Sequence, residues 1–238
     1  MDEPTFLWAV MGALVLVYVI CALRDALRER SRRRAFRRLA VELGLHYEAR
    51  DDNLVEHLGL AHALRQGKRR ELFYVLGAPV PRYAFNILSG CYAGHPVRAF
   101  DFHCDPARRQ SKYMSQPDVP CISVFMVMQE KPFPPLLIYP RKRWMRLEQM
   151  VKLERVELEA AEFAQAFVVR AGDRKFAYDV CHARMMEYLL AHHDLCLEIE
   201  GRCIAMTFDQ RVKPKDIPGR LQQLIEVRQL FPEYLFRP

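Results

Sequence analysis

The chain lacks the short signatures that mark most catalytic and cofactor sites. It has no H-E-x-x-H, no G-x-G-x-x-G, no phosphate-binding P-loop and no G-x-S-x-G. Helical zinc proteolysis, Rossmann-type dinucleotide binding, P-loop nucleotide chemistry and the serine nucleophile elbow are therefore excluded in the forms those patterns define. Its seven cysteines, at positions 21, 91, 104, 121, 181, 196 and 203, form no C-x-x-C pair and are odd in number. Such spacing builds neither a zinc ribbon nor a disulfide framework, and free thiols are expected. Low-complexity tracts and internal repeats are missing too, which excludes a solenoid. Basic residues are absent ahead of the first apolar run, where Met1 to Thr5 carries only Asp2 and Glu3. A cleavable signal peptide needs the opposite charge order.

That apolar run is the first positive feature. Phe6 to Leu23, "FLWAVMGALVLVYVICAL", holds eighteen residues without a charge. As a helix it would cover roughly 27 Å, close to the hydrocarbon thickness of a bilayer. Directly after it, "RDALRERSRRRAFRR" packs Arg24, Arg28, Arg30, Arg32, Arg33, Arg34, Arg37 and Arg38 against only Asp25 and Glu29. The order predicts a transmembrane helix with its N-terminus outside and the rest of the chain cytoplasmic. The eight arginines are then read as contacts to anionic headgroups. Of the net charge of +7, six units sit in this stretch and two acids precede it, which leaves +3 for everything from Leu39 onward. A nucleic-acid-binding body would carry the surplus itself, so the lipid bilayer, and beyond it a protein partner or a second copy, are the expected partners.

The organisation expected is a tail and transmembrane helix (1–23), a basic juxtamembrane helix (24–44) and an α+β domain of antiparallel hairpins with packed helices (45–238). The domain divides into sub-blocks 45–140 and 141–238. Phe36, Leu39, Ala40 and Leu43 fall at i, i+3, i+4 and i+7, and Gly44 is placed to end their helix. "YAFNILSGCYAG" and "HPVRAFDFHC" predict a hairpin with a glycine-containing turn. "CISVFMVMQ" and "PLLIYP" predict separate strands, with a loop in "DPARRQSKYMSQPDVP". Farther on, "FAQAFVVRA" predicts a strand, and Asp173 caps a helix from Arg174 to about His192. "LCLEIEGRCIAMTF" predicts a hairpin turning at Glu200-Gly201. Leu221, Leu224, Ile225 and Arg228 share a face of a terminal helix.

Two segments resemble blocks shared by an uncharacterised bacterial family with one N-terminal membrane helix. The first, Phe85 to Cys104, shows N-x-x-x-G-x-x-x-G at Asn86, Gly90 and Gly94, followed by a phenylalanine-aspartate-aromatic run. The second, Leu158 to Leu190, is similar in its F-x-x-x-F-x-V block at Phe163 and Phe167 and in the arginine-methionine pair of its helix. Asparagine and arginine commonly follow the first phenylalanine there; here Ala164 and Gln165 stand in those places. The resemblance implies topology, fold and a bacterial inner membrane as the location, and brings no activity with it.

The densest polar cluster is "HPVRAFDFHCD". On a strand, Asp101 and His103 share one face, while Phe100, Phe102 and Cys104 share the other. A carboxylate beside an imidazole can orient a general base, so the pair is the catalytic candidate; a half-exposed strand is the plainer account. Cys181-His182, His192-His193 and Cys196 lack zinc-ligand spacing, and Met185-Met186 with Tyr188 to Leu190 reads as a core helix face. Arg141-Lys142-Arg143 beside Trp144 could hold a phosphate or headgroup, or could simply be a solvated helix start. No cofactor and no metal is expected. The functional expectation is a membrane-tethered interaction or scaffold module; the alternative is a membrane-bound hydrolase using Asp101 and His103.

Overall fold

Helix α1 spans Glu3–Leu43. It continues unbroken from the apolar run into the arginines because neither segment contains proline and the one glycine, Gly12, is isolated. It ends where the spacing predicts. Gly44 is left-handed (φ 66°), the Leu45 amide donates to the Ala40 carbonyl at 2.8 Å and the Gly44 amide to Val41 at 3.3 Å. This is a Schellman stop, in which glycine avoids the Cβ penalty of the left-handed region. The computed structural model describes residues 3–52, 54, 82–104, 121–141, 153–208 and 210–236.

One expectation is overturned here. Among the described residues no helix is long and apolar enough to cross a membrane. The side chains of Phe6, Leu7, Ala9 and Val10 lie outside the described residues. The transmembrane element of the expected architecture, and the single-pass inner-membrane location built on it, are corrected accordingly.

Among the described residues the rest is α+β around one antiparallel sheet of seven strands. In chain order these are β1 (His46–Asp51), β2 (Arg82–Tyr92), β3 (His95–Cys104), β4 (Cys121–Pro140), β5 (Glu154–Val156), β6 (Phe167–Ala171) and β7 (Cys196–Phe208). Among the described residues the α-helices after α1 are α2 (Ala161–Ala166), α3 (Arg174–Val180), α4 (Ala183–Ala191) and α5 (Ile217–Leu230). Strand order is β1-β2-β3-β4-β6-β5, with β7 paired to β4 as well. The twenty-residue β4 organises the sheet. Its first half pairs with β3 and its second half with β6, while β7 runs along its other edge from Ser123↔Phe208 to Ile138↔Leu197.

Several local expectations meet the structure directly. The β2–β3 hairpin turns at Ala93 (φ 49°) and Gly94 (φ 80°) between the paired Tyr92 and His95, as a two-residue primed turn requires. Gly90 is needed for a different reason: a Cβ there would stand 2.9 Å from Leu45 Cδ2. Asp173 caps α3, its Oδ1 accepting from the amides of Lys175 (2.8 Å) and Phe176 (3.2 Å). Asp173→Ala should therefore cost about 1 kcal/mol, read as a shift in the urea midpoint with an unchanged slope. A loss below a few tenths would show the cap to be energetically idle.

Other expectations are revised. "CISVFMVMQ" and "PLLIYP" are one strand, β4, whose register against β7 shifts around Phe133. "LCLEIEGRCIAMTF" is also one strand; positive-φ Gly201 sits opposite Phe133 at that irregularity and does not turn the chain back. The F-x-x-x-F segment begins as helix α2, which places Phe163 and Phe167 in a stack with centroids 5.1 Å apart. The single helix from Arg174 to His192 is two, α3 and α4, broken at Cys181-His182. The predicted loop at 105–120 lies outside the described residues.

Alternation along the strands separates two cores. Val97, Ala99, Phe125, Val127 and Ile204 face α1, α3, α4 and α5, joined by Phe36, Leu39 and Ala40 from the end of α1. Phe100, Phe102, Val124, Met126 and Ala205 face the opposite side, where Leu54 packs among the described residues. Asp101 belongs to the face that α1 covers.

Candidate functional site

Asp101 lies on β3 at the end of the Val97–Ala99 row and is fully buried. A buried carboxylate needs a cation and hydrogen bonds to offset its lost hydration. Arg32, one helical turn before buried Phe36, supplies the first. Its Nη2 donates to Asp101 Oδ1 at 2.7 Å and its Nε to Oδ2 at 2.8 Å, a two-point fork. Ser123, the cross-strand partner on β4, donates its hydroxyl to Asp101 Oδ1 at 2.8 Å, and the Ser123 Oγ in turn accepts from the Val212 amide at 2.9 Å.

Asn86 completes the set. It sits at the irregularity in β2 between Phe85 and Leu88, in the left-handed region at φ 52°. Asparagine tolerates that conformation better than most residues. The bulge turns its amide toward Asp101, where Nδ2 donates to Oδ2 at 3.0 Å. The same Nδ2 lies 3.4 Å from Glu29 Oε1, and Tyr47 Oη lies 3.4 Å from Asn86 Oδ1. Arg211 closes the ring. It donates through Nη2 to Glu29 Oε2 at 2.8 Å, its Nε stands 3.4 Å from Asp101 Oδ2, and its guanidinium lies over the Phe85 ring at 5.2 Å. Two carboxylates and two guanidiniums therefore balance in charge where α1 crosses the sheet.

This geometry decides what Asp101 can do. An ionised carboxylate offers about four lone-pair directions, and Arg32, Ser123 and Asn86 already occupy four contacts with Arg211 behind them. No acceptor position remains for a substrate proton. Asp101 is a structural anchor for α1, and the outward-facing Asp/His strand face expected from alternation is instead a helix-covered one. His103 pairs through its backbone with Tyr83 and Cys121; its side chain, like that of Cys104 and the whole of Asp105, lies outside the described residues.

The arginines divide in the same way. Arg32 keeps only 12% of its side chain exposed and is spent on Asp101, so it is not free for a headgroup. Arg24, Arg28, Arg30, Arg33, Arg34, Arg37 and Arg38 remain exposed. The other sequence candidates are packing groups. His182 Nε2 and His192 Nδ1 each lie 2.8 Å from a backbone carbonyl, Leu230 and Tyr188 respectively. Burial pushes the Cys181 thiol up to about 12. Met185 and Leu189 are core. Among the described residues no three histidine, cysteine, aspartate or glutamate side chains converge as a metal site.

Arg211 carries no sequence motif, and Asn86 was legible only as part of a glycine-spaced turn. The one available signal was an aspartate closing an otherwise apolar strand face, Val97-x-Ala99-x-Asp101. Such a residue calls for a cation from elsewhere in the chain.

No family model matches the chain, and no curated protein sequence matches it. Its structure is similar to the crystal structure of the mycobacterial trehalose monomycolate transport factor A, TtfA. The TM-score is 0.50, over 85% of this chain and 95% of that chain, at 13% sequence identity. The likeness is one of fold. It supports the α+β arrangement described above, and at that identity it says nothing about the residues of a site.

Proposed function

We propose that the chain is a non-catalytic interaction module that engages an anionic lipid surface through the uncovered half of α1. One observation carries the reading. Trp8, Met11, Leu14 to Ile20, Leu23 and Leu27 are each between 44% and 77% exposed. They include seven consecutive residues, so the helix has no polar side there. A contiguous apolar surface of that kind is an interaction site waiting for cover. The seven exposed arginines that follow suit a negatively charged neighbour, each adding on the order of 1 kcal/mol beside an anionic surface. Contact of this kind requires no span across the bilayer.

The Asp101 network supports the same reading, because it fixes the direction in which α1 leaves the sheet. The hydrolase alternative draws no support from Asp101, whose oxygens are fully engaged. Flotation of the intact chain with phosphatidylcholine vesicles, with and without phosphatidylglycerol, tests the proposal. Binding should be at least about tenfold stronger with the anionic lipid and should weaken with salt. Val17→Asp together with Ile20→Asp should abolish it while the circular dichroism of the body is retained. A chain that ignores vesicles and instead forms a defined oligomer by light scattering would transfer the apolar half of α1 to a second copy.

A further inference from the structure

A separate cleft of about 170 Å³ opens between β5, β6 and α2. Its walls are apolar, with Val156, Phe163 and Phe167 prominent, and Arg141, Arg155 and Glu157 stand among its lining residues. Arg141 is the unusual member. Its backbone amide donates to the Ala166 carbonyl at 2.8 Å and its Nη2 to the Ala164 carbonyl at 2.7 Å. The guanidinium is thus held against the end of α2, yet its buried Nε has no acceptor among the described residues. The nearby Arg170 is different: its Nε donates to Tyr139 Oη at 3.2 Å and its Nη1 to the Leu153 carbonyl at 3.0 Å. A half-buried guanidinium pinned at one nitrogen and unsatisfied at another is short of one acceptor.

The geometry points to a binding site for a small carboxylate with a compact apolar body. The anion would meet Arg141, with Arg155 adding charge at the exposed rim, and a small adjustment of the Arg141 side chain would bring Nε into the fork that guanidinium offers a carboxylate. The body would lie on the stacked Phe163–Phe167 pair. The volume is well below the ~300 Å³ at which pockets for drug-sized ligands begin, so nucleotides and long acyl chains are too large. Glu157 disfavours a multiply charged anion and selects for a single negative charge. Of the basic cluster Arg141-Lys142-Arg143 and Trp144, only Arg141 belongs to the described residues, and this cleft gives it a role that the lipid-binding helix does not.

Calorimetric titration of the intact chain with benzoate tests the site, with inorganic phosphate and benzyl alcohol as the charge-only and ring-only probes. Saturable binding of one benzoate per chain is expected, at least about tenfold tighter than either control. Arg155→Met should weaken it severalfold and Arg141→Met by about tenfold or more. If Arg141→Met fails to fold, as judged by circular dichroism, Arg155→Met decides. No saturable heat, phosphate or benzyl alcohol binding as tightly as benzoate, or an unchanged affinity in a folded variant would each overturn the assignment.

Discussion

Asp101→Ala is expected to lower the stability of the body by about 3–5 kcal/mol, the cost of breaking a buried ion pair and leaving its partner uncompensated. The substitution strands Arg32 under α1 and removes the second anion facing Arg211, while Ser123 and Asn86 lose their shared acceptor. Urea unfolding followed by circular dichroism measures the effect. Arg32→Met alone should also be costly, because it leaves Asp101 buried with only the longer, 3.4 Å contact to Arg211. The Asp101→Ala/Arg32→Met double variant should lose clearly less than the sum of the two, since the residues act as a unit. Arg33→Ala provides the contrast. Its contact to Glu29 is 3.8 Å and more than half its side chain is exposed, so a change within about 0.5 kcal/mol is expected. Additive losses at Asp101 and Arg32 would mean that the pair is not what holds α1 to the sheet.

The second large effect is expected at Phe133→Ala, again about 3–5 kcal/mol, this time from a cavity. Phe133 sits between Pro132 and Pro134 where β4 changes register against β7. Its ring stacks on Phe176 at 5.5 Å, meets Phe236 edge-on at 5.5 Å and lies 6.1 Å from Phe231. One side chain at the bend of the longest strand therefore gathers α3 and the segment after α5. Beyond the unfolding midpoint, amide exchange should accelerate at Phe231 to Phe236 before it does in β2 or β3, because that segment is docked on the ring. Phe133→Leu should cost less than half as much. A loss near 1 kcal/mol for alanine would show that the rings reorganise to fill the space.

The features legible in the sequence share a physical property: each is decided within a few residues. Gly44 stops α1 because only a left-handed residue completes its last turn. Ala93-Gly94 turns the hairpin for a comparable reason, and Asp173 caps α3 with its own side chain. The face formed by Phe36, Leu39 and Ala40 follows from helical period alone. Failures occurred where a distant element decided. "FAQA" is helical because α2 packs Phe163 onto Phe167 and the core, although its composition also suits a strand. β4 and β7 pass through the proline-rich positions where a strand break was expected and the glycine where a turn was expected, because the two strands pair on both sides of the irregularity at Phe133 and Gly201. The transmembrane expectation came from hydropathy over Phe6–Leu23, whereas among the described residues no helix is long and apolar enough to cross a bilayer.

By itself, then, the sequence determined the α+β class, the caps and turns, the apolar-to-arginine order along α1 and the absence of familiar catalytic signatures. Only the tertiary structure decided that Arg32, read as one of eight equivalent surface arginines, is the partner of an aspartate 69 residues away. It also decided that Asp101 is an anchor with no free lone pair, and that Arg141 lines a cleft with a donor unfilled. Charge and periodicity are properties of a segment and can be read along the chain. Pairing of buried charges depends on which faces meet, and that is settled only when the sheet and its covering helices are assembled.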